Sequence, residues 1–318
     1  MKQKRDRLKG KEGNKMDEYA IIASGLTMKY KKKSETNALN HIFLKVHKEQ
    51  LVGLIGANGS GKTTFFKICN GNLEPTEGNV KILGGDAVED LSIREEVIYS
   101  MHALPVGDNL TVGTVIENYE LMYPYFDKEF ADKLLDLFGV SQKAKIKQLS
   151  QGTVSVVHFI CALSTRAKVT MFDEPFIGID IEKRKLAQEV LLRDYMEHPR
   201  TILISSHNLA EMEQILSEMV LIHNGDLVFY EDMDTVREML FRADGEADQV
   251  KAFAGKEDVI TSNQGELGAY FIGKGGPNCD LAKEAARTGL RIAAVAPEDV
   301  CVYLTSNRRE SDLECLWK

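Results

Sequence analysis

Eight consecutive residues, Gly56-Ala57-Asn58-Gly59-Ser60-Gly61-Lys62-Thr63, combine the residue types that chemistry on phosphates requires. The glycines let the backbone curl until successive N–H groups point inward at an anion. A helix starting there adds the positive end of its dipole. Lys62 then reaches the outer phosphates, the Thr63 hydroxyl is a magnesium ligand, and Thr64 extends the cradle. The apolar run Leu51-Val52-Gly53-Leu54-Ile55 precedes the loop and a helix-compatible stretch follows, the strand–loop–helix setting of a P-loop. These residues predict binding of a nucleoside triphosphate. A second set decides whether the phosphate is held or cleaved. Val169-Thr170-Met171-Phe172-Asp173-Glu174-Pro175 is an apolar strand ending in two acids. Such a strand delivers its carboxylates to the carboxyl edge of a parallel sheet, where ligands bind. Asp173 is read as holding Mg²⁺, and Glu174 as orienting and deprotonating the attacking water. His207 closes the next strand-like run, Thr201–Ser206, and should lie near the terminal phosphate.

These groups need a scaffold, and the hydrophobic pattern supplies one. Short apolar strands are predicted at Ala20–Ala23, His41–Val46, Leu51–Ile55, Asn79–Leu83 and Val97–Met101. Strands resume at Val169–Phe172, Thr201–Ser205 and Met219–Ile222, with helical stretches at Ile181–Met196 and Leu209–Leu216 between them. That alternation implies a mostly parallel central sheet with helices on its faces, an α/β fold of the P-loop NTPase type. An antiparallel β subdomain belongs to the same fold, and Asn224-Gly225-Asp226 marks a hairpin before Leu227–Tyr230. Val112–Met122 and Lys128–Phe138 have helical spacing and are parted by Pro124, so residues 103–150 are expected to form a helical insertion. From about residue 244 to 318 the chain turns Gly-rich and polar. Weak elements there at Gln249–Ala252, Ala269–Ile272, Leu281–Thr288, Arg291–Val295 and Pro297–Thr305 suggest a small α+β appendage. Residues 1–16 are strongly basic and aperiodic, the composition of a solvated tail. The ATP-binding domain is accordingly drawn at 17–243.

The chain has 318 residues, 43% hydrophobic and 28% charged, ordinary values for a globular protein. Its net charge of −8 argues against a general nucleic-acid partner. No run of 18 apolar residues and no apolar signal core occurs, which points to the cytoplasm. Cys69, Cys161, Cys279, Cys301 and Cys315 are scattered, without a C-x-x-C pair, and read as reduced thiols.

Taken together, the motifs resemble the ATP-binding cassette of ABC transporters, from about Tyr19 to Leu240. Five separated motifs stand in the family's order: Gly56–Thr63, the signature-like Leu149-Ser150-Gln151-Gly152-Thr153, Asp173-Glu174-Pro175, Gly178-Ile179-Asp180 as a D-loop, and His207 in Ser205-Ser206-His207-Asn208-Leu209. The resemblance implies two cassettes, identical or different, docked head to tail and driving a separate multi-span membrane permease. Each ATP would be clamped between one chain's P-loop and Ser150 and Gly152 of the other. The chain would then sit at the cytoplasmic face of the membrane, touching it only through the permease. Tyr30 stands where the family has an adenine-stacking aromatic, although an ordinary strand tyrosine is the competing reading. Ser150 is also a plausible N-cap for a helix over Thr153–Arg166. The aromatic-rich Tyr119–Phe126 matches the surface that receives a permease helix, or else a packed core face. Pro297–Thr305 resembles the closing helix of drug- and peptide-export cassettes, which favours an exporter.

The chain departs from the family on the coupling side. His102 replaces the Q-loop glutamine and Gln151 and Thr153 alter the signature. Val154-Ser155-Val156-Val157 replaces the polar residues that usually follow. Lys62, Thr63, Asp173, Glu174 and His207 are intact, with His102 retained as a candidate catalytic group. ATP and Mg²⁺ binding is therefore expected, with hydrolysis slow unless a partner aligns the site. A weakly hydrolysing regulatory cassette, an ATP-gated clamp, is the alternative.

Overall fold

The computed structural model describes residues 18–30, 36–86, 89–101, 109–265 and 268–306. The basic stretch 1–16 and His102 lie outside them. The chain divides into two compact units. One comprises residues up to His207 together with Gln214–Tyr230, the other Asn208–Glu213 together with the residues from Glu231 onward.

The first unit opens with β1 (Tyr19–Met28), β2 (Leu39–His47), β3 (Leu51–Ile55) and α1 (Lys62–Cys69). Then come β4 (Glu77–Ile82), the short α2 (Leu91–Arg94) and β5 (Val97–Met101). Three helices follow, α3 (Val112–Met122), α4 (Lys128–Leu137) and α5 (Gln151–Ser164). The unit closes with β6 (Val169–Asp173), α6 (Ile181–Glu197), β7 (Thr201–Ser206), β8 (Glu218–His223) and β9 (Asp226–Asp232).

Six strands form one sheet in the order β5-β6-β7-β3-β8-β9. The first five of these are parallel to their neighbours. β9 returns through Asn224-Gly225, whose φ values of 51° and 85° are those a tight two-residue hairpin needs. A separate antiparallel sheet has the order β2-β1-β4. Along β2, Leu39, Ile42, Leu44 and Val46 are buried while Asn40, Phe43 and Lys45 face out, the two-residue period of a strand with one wet side. β3 is buried at every position, as a strand covered on both faces must be. One apolar core joins residues of both sheets to Phe65 and Phe66 of α1, so the helix that begins at Lys62 is pinned to the strand ends beside it. This is the α/β architecture with an antiparallel part and a helical insertion that the sequence pattern implied.

The second unit holds α7 (Met233–Arg237), β10 (Leu240–Gly245), α8 (Ala247–Lys251), β11 (Val259–Gly265) and β12 (Gly268–Lys274). It ends with α9 (Asp280–Arg287), β13 (Arg291–Ala294) and α10 (Pro297–Thr305). Its four strands are antiparallel in the order β11-β12-β10-β13, a split β-α-β arrangement. Phe241, Phe253 and Phe271 fill its core with Ala282 and Ala285 of α9.

Two expectations are corrected. The predicted boundary at 243/244 moves back to Tyr230, because β10 is an inner strand of the second sheet. Arg242 and Ala243 pair with Ile272 and Phe271 on one side and with Ala293 and Ile292 on the other. Only Leu240 and Phe241 are large and apolar in that strand, too little to mark it by composition. The predicted helix Leu209–Leu216 is a single 3₁₀ turn, Leu209–Glu211. Its hydrogen bonds stop at Glu213, and the Ser217 amide already joins Leu51 in the first unit.

Candidate functional site

The loop from Gly56 to Gly61 carries the chain from the end of β3 into α1. Gly59 and Gly61 adopt φ of 80° and 116°, where side chains are strained. A Cβ at Gly61 would lie 2.5 Å from the Ala38 carbonyl oxygen, and one at Gly56 would lie 2.3 Å from that of Ile222. Gly61 is therefore demanded twice, by backbone conformation and by close packing, whereas Gly59 is demanded by its conformation and Gly56 by its close packing. Lys62 Nζ donates to the carbonyls of Gly56 (2.6 Å) and Ala57 (3.1 Å) and lies 3.9 Å from Glu174 Oε1. Burial holds the Lys62 ammonium below the usual lysine value, and the charges of Glu174 and Asp173 oppose that shift. Ser60 Oγ is buried in the same loop without a hydrogen-bond partner.

Asp173 ends β6 and is buried. Its Oδ2 accepts hydrogen bonds from Thr63 Oγ1 (2.8 Å) and Tyr99 OH (2.9 Å), and its Oδ1 accepts one from Ser205 Oγ (2.5 Å). Burial and the Asp173 charge push the Tyr99 phenol well above its usual value, so it stays a hydroxyl donor. Glu174 follows with φ of 52°, a left-handed conformation that costs a non-glycine residue about 1–3 kcal/mol. Its N–H donates to Ser205 Oγ (3.0 Å). The Glu174 carboxylate faces His207, whose Nδ1 is 3.0 Å from both oxygens.

Lys62, Thr63, Glu174 and His207 border a cleft of about 570 Å³, lined also by Tyr30, Asn58–Gly61, Thr64 and Ile177. Tyr30 is largely exposed, and its hydroxyl shares a 2.9 Å hydrogen bond with Thr64 Oγ1. The structure thus brings together Tyr30, the loop residues, Lys62, Thr63, Thr64, Asp173, Glu174 and His207. Sequence reasoning missed the direct pairing of His207 with Glu174 and the roles of Tyr99 and Ser205. Strand register was the available signal: Met101 and Ser205 flank Asp173 as its partners in β5 and β7.

Ser150, Gly152 and Asp180 do not line this cleft. Ser150 caps α5, its Oγ accepting from Thr153 N (3.2 Å) and pairing with Thr153 Oγ1 (2.9 Å). The helix starts at Gln151, two residues earlier than predicted. Asp180 caps α6 through Lys183 N at 2.9 Å. A Cβ on Gly152 would stand 2.2 Å from the Gly178 carbonyl oxygen, and Ser155 Oγ donates to Ile177 O (3.2 Å). The signature-like segment and the loop after Glu174 are therefore in backbone contact. Gly152→Ala should destabilise the protein by about 1–3 kcal/mol, because only backbone can yield there. Urea unfolding of the variant against the native chain measures this; a change under 0.5 kcal/mol would contradict the contact.

The family model for ABC transporters matches residues 39–177. YcbN of Bacillus subtilis, an uncharacterized ABC transporter ATP-binding protein, is 30% identical over 225 residues, covering 69% of this chain and 71% of YcbN. This chain belongs to the ABC transporter ATP-binding proteins. BcrA of Enterococcus faecalis, a bacitracin transport ATP-binding protein, is 30% identical to this ABC subunit over 214 residues, covering 66% and 68% of the two chains. An ATP-binding subunit of an ABC transporter of known structure shares its fold, with a TM-score of 0.60, 24% identity and 69% and 92% coverage. The cassette MJ0796, solved as a dimer with ADP and phosphate, gives a TM-score of 0.59 at 20% identity, covering 67% of this chain and 98% of that one. Among the described residues of this ATP-binding subunit, no helix is long and apolar enough to cross a membrane.

Proposed function

We propose that this ABC subunit binds MgATP in the cleft, hydrolyses it, and drives a separate membrane permease through ATP-dependent closure of two cassettes. The observation that carries the hydrolytic part is the placement of Glu174. Its carboxylate sits 3.0 Å from His207 Nδ1 and 3.9 Å from Lys62 Nζ, beside the Thr63–Asp173 pair. In this reading the loop amides and Lys62 hold the phosphates. Glu174 takes the proton of the attacking water, and His207 steadies Glu174 while its other ring nitrogen faces the phosphate charge. The Thr63 hydroxyl and Asp173 carboxylate are hard oxygen donors of the kind Mg²⁺ takes. When bound there with the phosphates, Mg²⁺ supplies charge neutralisation of the leaving group. Among the described residues no cluster of three or more His, Cys, Asp or Glu side chains could hold a metal, so the phosphates would complete its shell.

The two-cassette part is supported by the position of exposed Ser150 and half-buried Gly152 away from the chain's own cleft. Asp180 would lie beside the same interface, and Tyr30 would border the base. The export direction rests on the resemblance at Pro297–Thr305. Such a subunit works at the cytoplasmic face of the membrane, reaching it through the permease alone.

One observation favours the weakly hydrolysing alternative: Ser150 Oγ is already engaged by Thr153, the residue that alters the signature. Calorimetry with ATP and Mg²⁺, followed by turnover with and without a co-reconstituted membrane permease, tests both. Tight MgATP binding with turnover raised by the permease supports the transporter reading. Undetectable MgATP binding by folded protein would overturn it, and turnover indifferent to the permease would leave the clamp.

A further inference from the structure

We propose that Tyr99 and Ser205 are positioning residues that fix the direction in which Thr63 and Glu174 present their oxygens; the inference rests on the MgATP-binding reading above. Strand order makes the arrangement possible. β5, β6 and β7 are adjacent, with Met101 opposite Asp173 and Asp173 opposite Ser205. Residues two apart on a strand share a face, so Tyr99 lies on the same face as Met101 and hence as Asp173 and Ser205. The phenol is long enough to span that two-residue step, and its hydroxyl reaches Asp173 Oδ2 at 2.9 Å. Its ring packs edge-on to Phe66 of α1 with centroids 6.0 Å apart, which fixes the phenol from behind.

The hydrogen bonds then determine which way each group faces. A carboxylate only accepts, so all three hydroxyls on Asp173 commit their hydrogens to it. Ser205 takes one oxygen, Tyr99 and Thr63 the other, and the carboxylate plane has no freedom to rotate. With its hydrogen spent on Asp173, Thr63 turns its lone pairs away from the carboxylate. The Ser205 hydroxyl, having donated to Asp173, accepts the Glu174 N–H at 3.0 Å. One buried hydroxyl thus ties the Asp173 side chain to the peptide of Glu174, the residue held at φ of 52°. Neither Tyr99 nor Ser205 lines the cleft, so both act through the residues they hold.

The test compares native protein with Tyr99→Phe and Ser205→Ala by calorimetry with ADP, in EDTA and in excess Mg²⁺. Tyr99→Phe keeps the ring and its contact with Phe66, so folding should survive, as a melting curve checks. Metal-free ADP affinity should stay within twofold of native in both variants. The tightening brought by Mg²⁺ should fall about threefold to tenfold in each, and Ser205→Thr, which keeps the hydroxyl, should restore it. Exchange of the Glu174 amide hydrogen, followed without nucleotide or metal, should quicken about tenfold in Ser205→Ala and not in Tyr99→Phe. Equal Mg²⁺ tightening in native and variant proteins would overturn the positioning role. Native protein whose ADP binding ignores Mg²⁺ would overturn the functional reading beneath it, and unchanged Glu174 exchange in Ser205→Ala would overturn the Ser205 tether by itself.

Discussion

Glu174→Gln should lower steady-state ATP turnover by about 10²–10⁴-fold, the range a positioned general base contributes. The substitution keeps the size and one acceptor oxygen of the side chain, so MgATP binding should stay within severalfold of native. With cleavage blocked, ATP should hold two cassettes together, visible as an ATP-dependent dimer in size-exclusion chromatography. The contact with His207 sharpens the expectation. At 3.0 Å from both Glu174 oxygens, the imidazole is held by the charge that the glutamine lacks. His207→Ala should therefore lower turnover by a smaller factor, and adding it to Glu174→Gln should cost little more, since residues acting as a unit are not additive. Native-rate hydrolysis by Glu174→Gln would remove Glu174 from the role of base.

Asp194→Ala should destabilise the first unit by about 3–5 kcal/mol, the usual consequence of stripping a buried ion pair of one partner. Asp194 lies near the end of α6, buried, and both Arg166 Nη1 and Arg200 Nη2 bond to it, the latter at 2.7 Å. Arg200 is itself buried and spends further donors on the carbonyls of His198 (3.0 Å) and Leu163 (3.3 Å). Burial pulls its guanidinium below the usual arginine value, and Asp194 is the charge that opposes this. Arg166 also reaches Asp127 Oδ2 (3.1 Å), the cap of α4, and stacks 4.4 Å from the Phe130 ring. Removing Asp194 strands two cations with only the half-exposed Asp127 near one of them. A fall in melting temperature of roughly 6–20 °C is expected, with nucleotide affinity of the folded fraction little changed. A shift below about 2 °C would mean that water already serves these groups.

The residues legible from the sequence were those whose chemistry is tied to a local pattern. Lys62 and Thr63 are announced by glycines that must stand beside them, and Asp173 and Glu174 by the apolar strand they end. Ser150 was readable as a cap because an N-cap needs only a side-chain oxygen and a helical N–H three residues on to donate to it. Tyr99, Ser205 and Asp194 were not legible, since each matters through a partner distant in the chain. Tyr99 looks like any aromatic in a buried strand until β5 is laid next to β6. Asp194 sits in a charged helix among acids that point to water. Secondary structure failed for the same reason: Leu209–Leu216 has helical spacing, yet the chain must leave it early for Ser217 to join Leu51.

The way the chain threads its two units bears on any attempt to separate them. Residues 208–213 are spent on the second unit before β8 and β9 complete the first, and only then does the backbone leave for good. The units are interleaved, so a single cut after Tyr230 leaves the first unit still carrying residues 208–213 and the second unit without them. A cut at the compositional boundary of 243 would also carry Leu240 and Phe241 off without the strands on either side of them. The stub would be a sticky edge on an otherwise intact nucleotide-binding body. Such a division would be better made by grafting across both crossings, with a short polar link replacing residues 208–213.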